Sequence, residues 1–268
     1  MVAVPPSLAD LFPMPSEKFL AGDFLARADI VLMRGSSLFS KSIRFATRSP
    51  FSHAALIFLV PHRETGFERA FLIESVPKGV QLTSLTDGLN EHPLGVAILR
   101  LERSWFQQDQ QAIVRGRMLD FIRAGYDWRT IVSLVISVAN GMVLGRENYA
   151  RSLGNSLRKA YRRRGLAPAN FICSGFVQYG FLRAIHDLAS GANPVVPIEE
   201  VKLGLFNQRL KDLKAAEVLQ DAFLAELLST TPEDISHAPQ LQWKYVCKGE
   251  MVHRVSSREE AVALIENA

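Results

Sequence analysis

The chain has 268 residues, 48% of them hydrophobic and 22% charged, which is the composition of an ordinary globular protein long enough for one large core or two small ones. Its formal net charge is only +4, and its two cysteines exclude a fold built on a disulfide framework. We therefore expect one elaborated domain held together by a hydrophobic core.

The predicted elements form a block rich in strands followed by a block rich in helices. After an N-terminal arm over residues 1–27, the first block contains a helix near 37–47 and strands near 29–33, 53–60, 69–76, 79–82 and 96–101. The second block contains helices near 105–124, 128–144, 150–164, 173–189, 208–228 and 258–266, a helix that starts at Thr231, and a strand around Trp243. This segregation predicts an α+β fold in which an antiparallel sheet packs against helices.

Cys173 lies where a nucleophilic cysteine is expected. The stretch from Asn170 to Tyr179 places the thiol in the opening turn of an apolar-periodic helix, just after the helix breaker Pro168. The unpaired N–H groups and positive dipole end of a helix N-terminus stabilise a thiolate, and they can also face a developing oxyanion. A buried structural cysteine is the alternative, and a partner histidine would favour the nucleophile.

The best candidate for that partner is His53, which opens an almost wholly apolar strand. The next strand carries Glu74 as its only acidic interior residue, and the intervening turn residues predict a hairpin. A turn centred between Arg63 and Glu64 would place His53 directly opposite Glu74, on the same face of the sheet. Glu74 would then orient one imidazole nitrogen of His53 while the other faces Cys173, as in a Cys-His-acid triad.

These residues, taken in order, resemble the circularly permuted papain-like enzymes of the NlpC/P60 superfamily, and within it the YaeF/YiiX branch. The resemblance covers residues 27 to 255, and it is carried by the segments Ala28-Asp-Ile-Val-Leu-Met-Arg-Gly, Phe51-Ser-His, Ile73-Glu-Ser, Gly79-Val, Tyr126-Asp-Trp, Cys173-Ser and Thr231-Pro-Glu-Asp-Ile. Unpermuted papain-like enzymes present Cys before His, whereas permutation gives the order His, Glu, Cys found here. One departure is Ala28, because the family usually has glycine before the aspartate of its opening strand.

The resemblance implies a permuted papain-like domain over residues 28–256, with a helical insertion at about 128–165 and a C-terminal helix over 257–268. It implies catalytic roles for three residues: Cys173 as nucleophile, His53 as general base and Glu74 as the third, polar member of the triad. The implied activity is that of a cysteine hydrolase, an amidase or thiol peptidase, acting on a peptide amide. Other permuted members act on lipid esters, so a lipid-directed thiol acyltransferase or esterase stays open, as does a non-catalytic binding module that keeps the cleft.

Two neighbouring stretches bear on the lipid alternative. Residues 130–144 form the longest apolar run, which is too short for a spanning helix and fits either a buried helix or one that lines a groove or rests on a membrane. Basic residues crowd just beyond it, over 146–164. They fit a solvated helix face or a peripheral contact with an anionic membrane.

The sequence gives no sign of a cofactor or a metal site, because its six histidines are scattered and it lacks phosphate-binding glycine loops and Cys-x-x-Cys pairs. We expect no nucleic-acid partner, since no stacking aromatics are interleaved with the basic residues. The absence of a signal-like N-terminus predicts a cytoplasmic protein, as does Cys247, which is left unpaired if Cys173 is the nucleophile. We expect Cys173 to be partly exposed in a cleft. Strand alternation predicts that Cys247 is core, on one face with Leu241, Trp243 and Tyr245.

Overall fold

The computed structural model describes residues 11–61, 66–122, 124–126, 170–190, 206 and 230–267. The predicted helices at 128–144, 150–164 and 208–228, and most of the predicted insertion, lie outside these residues. None of the helices in the described ranges is long and apolar enough to cross a membrane.

Eight strands form one antiparallel sheet, in the spatial order β1-β10-β9-β6-β2-β3-β4-β5. These strands are β1 (Met14–Pro15), β2 (Ile30–Met33), β3 (His53–Leu59), β4 (Phe71–Val76), β5 (Gly79–Ser84), β6 (Val96–Leu101), β9 (Leu241–Lys248) and β10 (Met251–Arg254). A separate parallel pair joins β7 (Gly125–Tyr126) to β8 (Asn170–Phe171).

The described helices are α1 (Ser16–Ala21), α2 (Leu38–Thr47), α3 (Leu85–Glu91), α4 (Gln108–Leu119), α5 (Cys173–Ser190), α6 (Pro232–Ser236) and α7 (Arg258–Glu266). The predicted α+β class with an antiparallel sheet packed against helices is confirmed. In chain order, the strand that begins at His53 and the strand that carries Glu74 precede the helix that begins at Cys173.

Local sequence explains several boundaries. The predicted start of α6 is confirmed: the Thr231 hydroxyl accepts the N–H of Asp234, whose carboxylate accepts the N–H of Thr231, and Pro232 needs no donor at the first helical position. At the start of β2, Ala28 has φ of +64°, in the left-handed region that favours glycine. Glycine would adopt this conformation at lower cost than Ala28 does.

The sheet separates two hydrophobic clusters, because alternate residues of each strand point to opposite faces. In β2, Ile30 and Leu32 belong to a first cluster, while Val31 and Met33 belong to a second. Helices α4, α5, α6 and α7 contribute buried side chains to the first cluster. Helices α1 and α3 contribute to the second.

The predicted alternation in β9 is wrong in one respect. Cys247 is buried as expected. However, Trp243 pairs with Leu99 and Tyr245 with Ile98, so Lys244 between them has no partner in β6. A residue that bulges out of the ladder reverses the faces of those that follow it. Trp243 therefore packs in the first cluster, whereas Tyr245 and Cys247 pack in the second.

Candidate active site

Cys173 is the first residue of α5, directly after the short strand β8 and Ile172. The apolar side of this helix is fixed in the first cluster by buried residues such as Phe176 and Phe181. The Ser174 hydroxyl donates to the carbonyl of Thr230 at 2.6 Å, which fastens the first turn of the helix. The predicted position of Cys173 in the opening turn of a helix is therefore confirmed.

His53 and Glu74 are adjacent, but not through the predicted pairing. The pairs Leu56–Ile73 and Ile57–Leu72 set the register of β3 against β4, and continuing it places Glu74 opposite Ala55 rather than His53. The register prediction is thus wrong by two residues, an even shift that leaves His53 and Glu74 on the same face. They meet on a diagonal, with 2.6 Å between His53 Nε2 and Glu74 Oε2.

Cys173 is close enough to His53 for each to shift the pKa of the other, through charge and a side-chain hydrogen bond. Since Cys173 is the first residue of α5 and His53 the first residue of β3, the contact forms where the two elements begin. The structure therefore brings together all three residues singled out from the sequence.

The electrostatics of this group favour a thiolate and an imidazolium. Burial alone would lower the pKa of His53, but the Cys173 sulfur and the Glu74 carboxylate outweigh burial and raise that pKa to about 10. Burial alone would raise the pKa of the Cys173 thiol, but the charge and hydrogen bond of His53, with the N–H groups of Ala54 and Ser174, lower it. An ion pair shielded from water keeps both groups charged.

Glu74 is held ionised by two partners. Its burial acts to raise the pKa, but the hydrogen bond and charge of His53, followed by a hydrogen bond from the Thr83 hydroxyl, lower it overall. Gln81 pairs directly with Glu74 across β4 and β5, and its side-chain amide donates to the Thr83 hydroxyl at 3.2 Å. Gln81 and Thr83 thus extend the network beyond the three predicted residues.

His92 is a further neighbour that the sequence reasoning missed. It follows α3, and its ring is nearly parallel to that of His53, with 6.2 Å between centroids and 16° between planes. Burial, and then the charge of His53, lower the pKa of His92 to about 4, so the ring is neutral near pH 7. No local sequence pattern marks His92 as a site residue. Gln81 and Thr83 could have been predicted, because a β4–β5 hairpin that turns at Pro77-Lys78 places both on the same face as Glu74.

The two cysteines are both buried, and they differ in the direction in which the pKa of the thiol is shifted. Cys173 is only 4% exposed, so the expectation of a partly exposed thiol is wrong. The contacts with His53 and with the N–H of Ala54 at the start of β3 account for this cover. Cys247 is buried without such partners, and burial raises its pKa to about 12.

Asp29 forms a structural ion pair with Arg100. Its carboxylate accepts two hydrogen bonds from the Arg100 guanidinium, at 2.7 and 2.8 Å, and a third from the N–H of Ala26. A buried carboxylate with a bidentate arginine partner links β2 to β6 rather than facing a substrate. Within the described residues, no group of three or more His, Cys, Asp or Glu side chains could hold a metal ion.

The sequence matches no protein-family model. No curated protein matches it either. Among solved structures, the chain is similar to the crystal structure of the metalloprotein YiiX (DUF1105) from Escherichia coli O157:H7, with 16% identity, a TM-score of 0.46, and coverage of 82% of this chain and 96% of that chain.

Proposed function

We propose that this protein is a cysteine-dependent hydrolase, of the amidase or peptidase type, that forms an acyl-enzyme on Cys173. The observation that carries the proposal is the hydrogen-bonded chain from Cys173 through His53 to Glu74, with 2.6 Å between His53 Nε2 and Glu74 Oε2. A nucleophile, a base and a group that orients the base are the parts that covalent catalysis of acyl transfer requires. A role in binding alone would not need these three residues together.

In the proposed reaction, the Cys173 thiolate attacks the carbonyl carbon of an amide. The oxyanion that forms is stabilised by the N–H of Cys173, one of the first four N–H groups of α5, which lack partners within the helix. The His53 imidazolium then donates its proton to the leaving amine as the C–N bond breaks, which leaves a thioester. Neutral His53 next takes a proton from water, the resulting hydroxide attacks the thioester, and the thiolate leaves.

The amide class of the substrate rests on the resemblance to NlpC/P60 enzymes. A lipid ester is the alternative, but the two stretches that suggested it, 130–144 and 146–164, lie outside the described residues. Turnover of peptide-amide and lipid-ester substrates, with Cys173→Ala as the inactive control, distinguishes the two. The proposal expects amide cleavage that depends on Cys173, whereas cleavage of lipid esters alone would assign the site to the other class.

Selective alkylation tests the chemistry before any substrate is known. A thiolate reacts with iodoacetamide and a thiol does not, and the pKa of Cys173 is lowered while that of Cys247 is raised to about 12. Because the thiolate of Cys173 persists as the pH falls below the usual pKa of a thiol, we expect labelling of Cys173 and not of Cys247 at about pH 6. Peptide mapping by mass spectrometry measures both sites in one sample.

Two variants control this experiment. His53→Ala removes the positive charge and the hydrogen bond that favour the thiolate, so labelling of Cys173 at the same pH should slow at least tenfold. His237→Ala removes an exposed histidine whose partner is Glu233, four residues before it, and it should leave the rate unchanged. Equal labelling of the two cysteines, or a His53→Ala variant as reactive as the native protein, would overturn the assignment.

A further inference from the structure

The outer side of α2 exposes apolar side chains where a helix of a soluble domain usually carries polar ones. Ile43 and Ala46 are buried and define its inner side. Leu38 is 81% exposed and Phe45 is 59% exposed. Being seven residues apart, they lie within about 20° of each other around the helix and point away from Ile43. Phe39, in the first turn, is also exposed.

The charges on this helix are all positive. Lys41, Arg44 and Arg48 follow one another along the helix and its C-cap, and residues 36–50 contain no acidic residue. Among the described residues, none of these three cations takes part in an ion pair. Lys41 and Arg48 are exposed beside Leu38 and Phe45, so cations and apolar groups share one surface.

We propose that the outer side of α2 binds the surface of an anionic lipid bilayer. A helix with exposed leucine and phenylalanine next to lysine and arginine can lie in the interface, with its apolar side chains among the acyl chains and its cations at the head groups. Each cation near an anionic surface adds to the attraction between the helix and the lipid. Because a bilayer adapts to the side chains that enter it, the two apolar side chains of Leu38 and Phe45 suffice, whereas a stable protein partner needs a larger complementary surface.

The N-terminal end of α2 is fastened to the segment that leads into His53, and its C-terminal end continues into that segment. The N–H of Gly35, before the helix, donates to the Ser52 hydroxyl at 2.9 Å, and Arg34 donates to the carbonyl of Pro50 at 3.3 Å. His53 follows the C-cap residue Arg48 by five residues, a span of at most about 18 Å. Membrane binding through α2 would therefore hold the start of β3 close to the lipid surface. The inference does not depend on the proposed catalytic role.

Vesicle co-sedimentation of the full chain tests the inference. The probes are vesicles of phosphatidylcholine alone and of phosphatidylcholine mixed with phosphatidylglycerol. We expect binding to the anionic vesicles at low ionic strength and weaker binding as salt is added, since the Debye length falls from about 30 Å at 0.01 M to about 8 Å at 0.15 M. Absence of binding to anionic vesicles at low salt, or equal binding to both vesicle types, would overturn the inference.

Variants of α2 decide whether this helix carries the binding. Replacing both Leu38 and Phe45 by serine leaves the charge unchanged and should weaken binding to anionic vesicles about tenfold, equivalent to about 1.4 kcal/mol. Lys41→Glu should weaken it through charge alone and reduce the salt dependence. Leu119→Ser, at an exposed apolar position on α4, is the matched control and should bind like the native protein.

Because Leu38 and Phe45 are exposed, their serine variants should melt at the native temperature, which separates lost binding from lost folding. Salt-sensitive binding that survives in the Leu38→Ser/Phe45→Ser variant would assign the contact to another basic part of the chain and overturn the inference. Salt-sensitive binding that falls in this variant and not in the Leu119→Ser variant would support it.

Discussion

At the scale of single residues, the candidate site depends on how charge is distributed among His53, Cys173 and Glu74. Glu74 is held in its carboxylate form by His53 and Thr83, and it in turn favours the charged form of His53. The acidic residue is therefore useful for its charge as well as for the hydrogen bond that orients the imidazole ring.

Replacing Glu74 by glutamine separates charge from orientation. The amide can still accept a hydrogen bond from His53 Nε2, but without the carboxylate charge the pKa of His53 falls. We expect kcat to fall about 10- to 100-fold, less than the full 10²–10⁴ that acid–base catalysis contributes because the hydrogen bond to His53 is kept, while Cys173→Ala abolishes turnover. Steady-state kinetics measure this difference, with Glu91→Gln on the exposed end of α3 as the control. An unchanged kcat in the Glu74 variant would remove Glu74 from the mechanism.

His92 is predicted to act as a positioning residue through its flat, neutral ring. Its plane lies 16° from that of His53, so it restricts the rotation of that imidazole without competing for its proton. His92→Phe keeps a flat ring and should retain kcat within about threefold, whereas His92→Ala should lower kcat about tenfold with KM little changed. If the phenylalanine variant is as impaired as the alanine variant, the polar atoms of His92 matter and the stacking argument fails.

At the scale of elements, sequence patterns predicted helix and strand types better than they predicted registers. The bounds of α2 and α7 were predicted to within a residue because capping serines and apolar periodicity mark them. The register of β3 against β4 was missed because the pair nearest the turn joins Leu59 to Phe71, whereas the expected turn would have joined Leu59 to Glu68. The irregularity between Ile57 and Leu59 then changes the offset by one residue. The strand β1 and the helices α1 and α3 were not predicted, since each is short and forms through packing.

The candidate site survived the register error for a physical reason. Side chains alternate with a period of two along a strand, so an error of two residues preserves the face and an error of one would have separated His53 from Glu74. Thr83 reaches the site through the β4–β5 hairpin, whose turn residues are visible in the sequence, whereas His92 reaches it through the path of α3 after β5. That path is tertiary information which a single sequence does not display.

The contact between α4 and α5 depends on a glycine. A Cβ atom at Gly180 would come within 2.4 Å of the Met118 side chain, whereas a Cβ atom at Gly116 meets nothing within 4 Å. Gly180→Ala should therefore destabilise the protein by about 1–3 kcal/mol through overpacking, even though alanine is the better helix former. Gly116→Ala in α4 is the matched control and should stabilise by about 0.5–1 kcal/mol.

Urea unfolding at equilibrium measures both glycine variants on the same scale. Although both are glycine-to-alanine substitutions in packed neighbouring helices, Gly180→Ala should lower the free energy of unfolding and Gly116→Ala should raise it. Stabilisation by both would mean that α4 and α5 are not in close contact at Gly180.

At the scale of the whole molecule, the first and the last strand of the described chain pair at one edge of the sheet, away from the candidate site. Strand β1 pairs with β10, and the rings of Phe12, Phe19 and Phe24 gather around Tyr245 of β9. The strands of His53 and Glu74 lie on the other side of β6 and β2. Residues near the N-terminus thus stabilise the second hydrophobic cluster without contacting the residues proposed to act in catalysis.

Truncating Phe19 tests this separation of stability from chemistry. Its ring is 0% exposed, lies edge-on to Tyr245 at 4.9 Å and stacks on Phe24 at 5.4 Å. Phe19→Ala should therefore cost about 3–5 kcal/mol of the free energy of unfolding, through lost burial and the cavity left behind. Phe67→Ala, at an exposed phenylalanine, should cost less than about 0.5 kcal/mol.

Below the lowered melting temperature of the Phe19→Ala variant, iodoacetamide should alkylate its Cys173 at the native rate, because three strand spacings of about 4.8 Å separate β9 from β3. If Phe19→Ala costs as little free energy of unfolding as Phe67→Ala, the N-terminal segment is not part of the core. If Cys173 reacts more slowly in the folded Phe19→Ala variant, the two ends of the sheet are coupled.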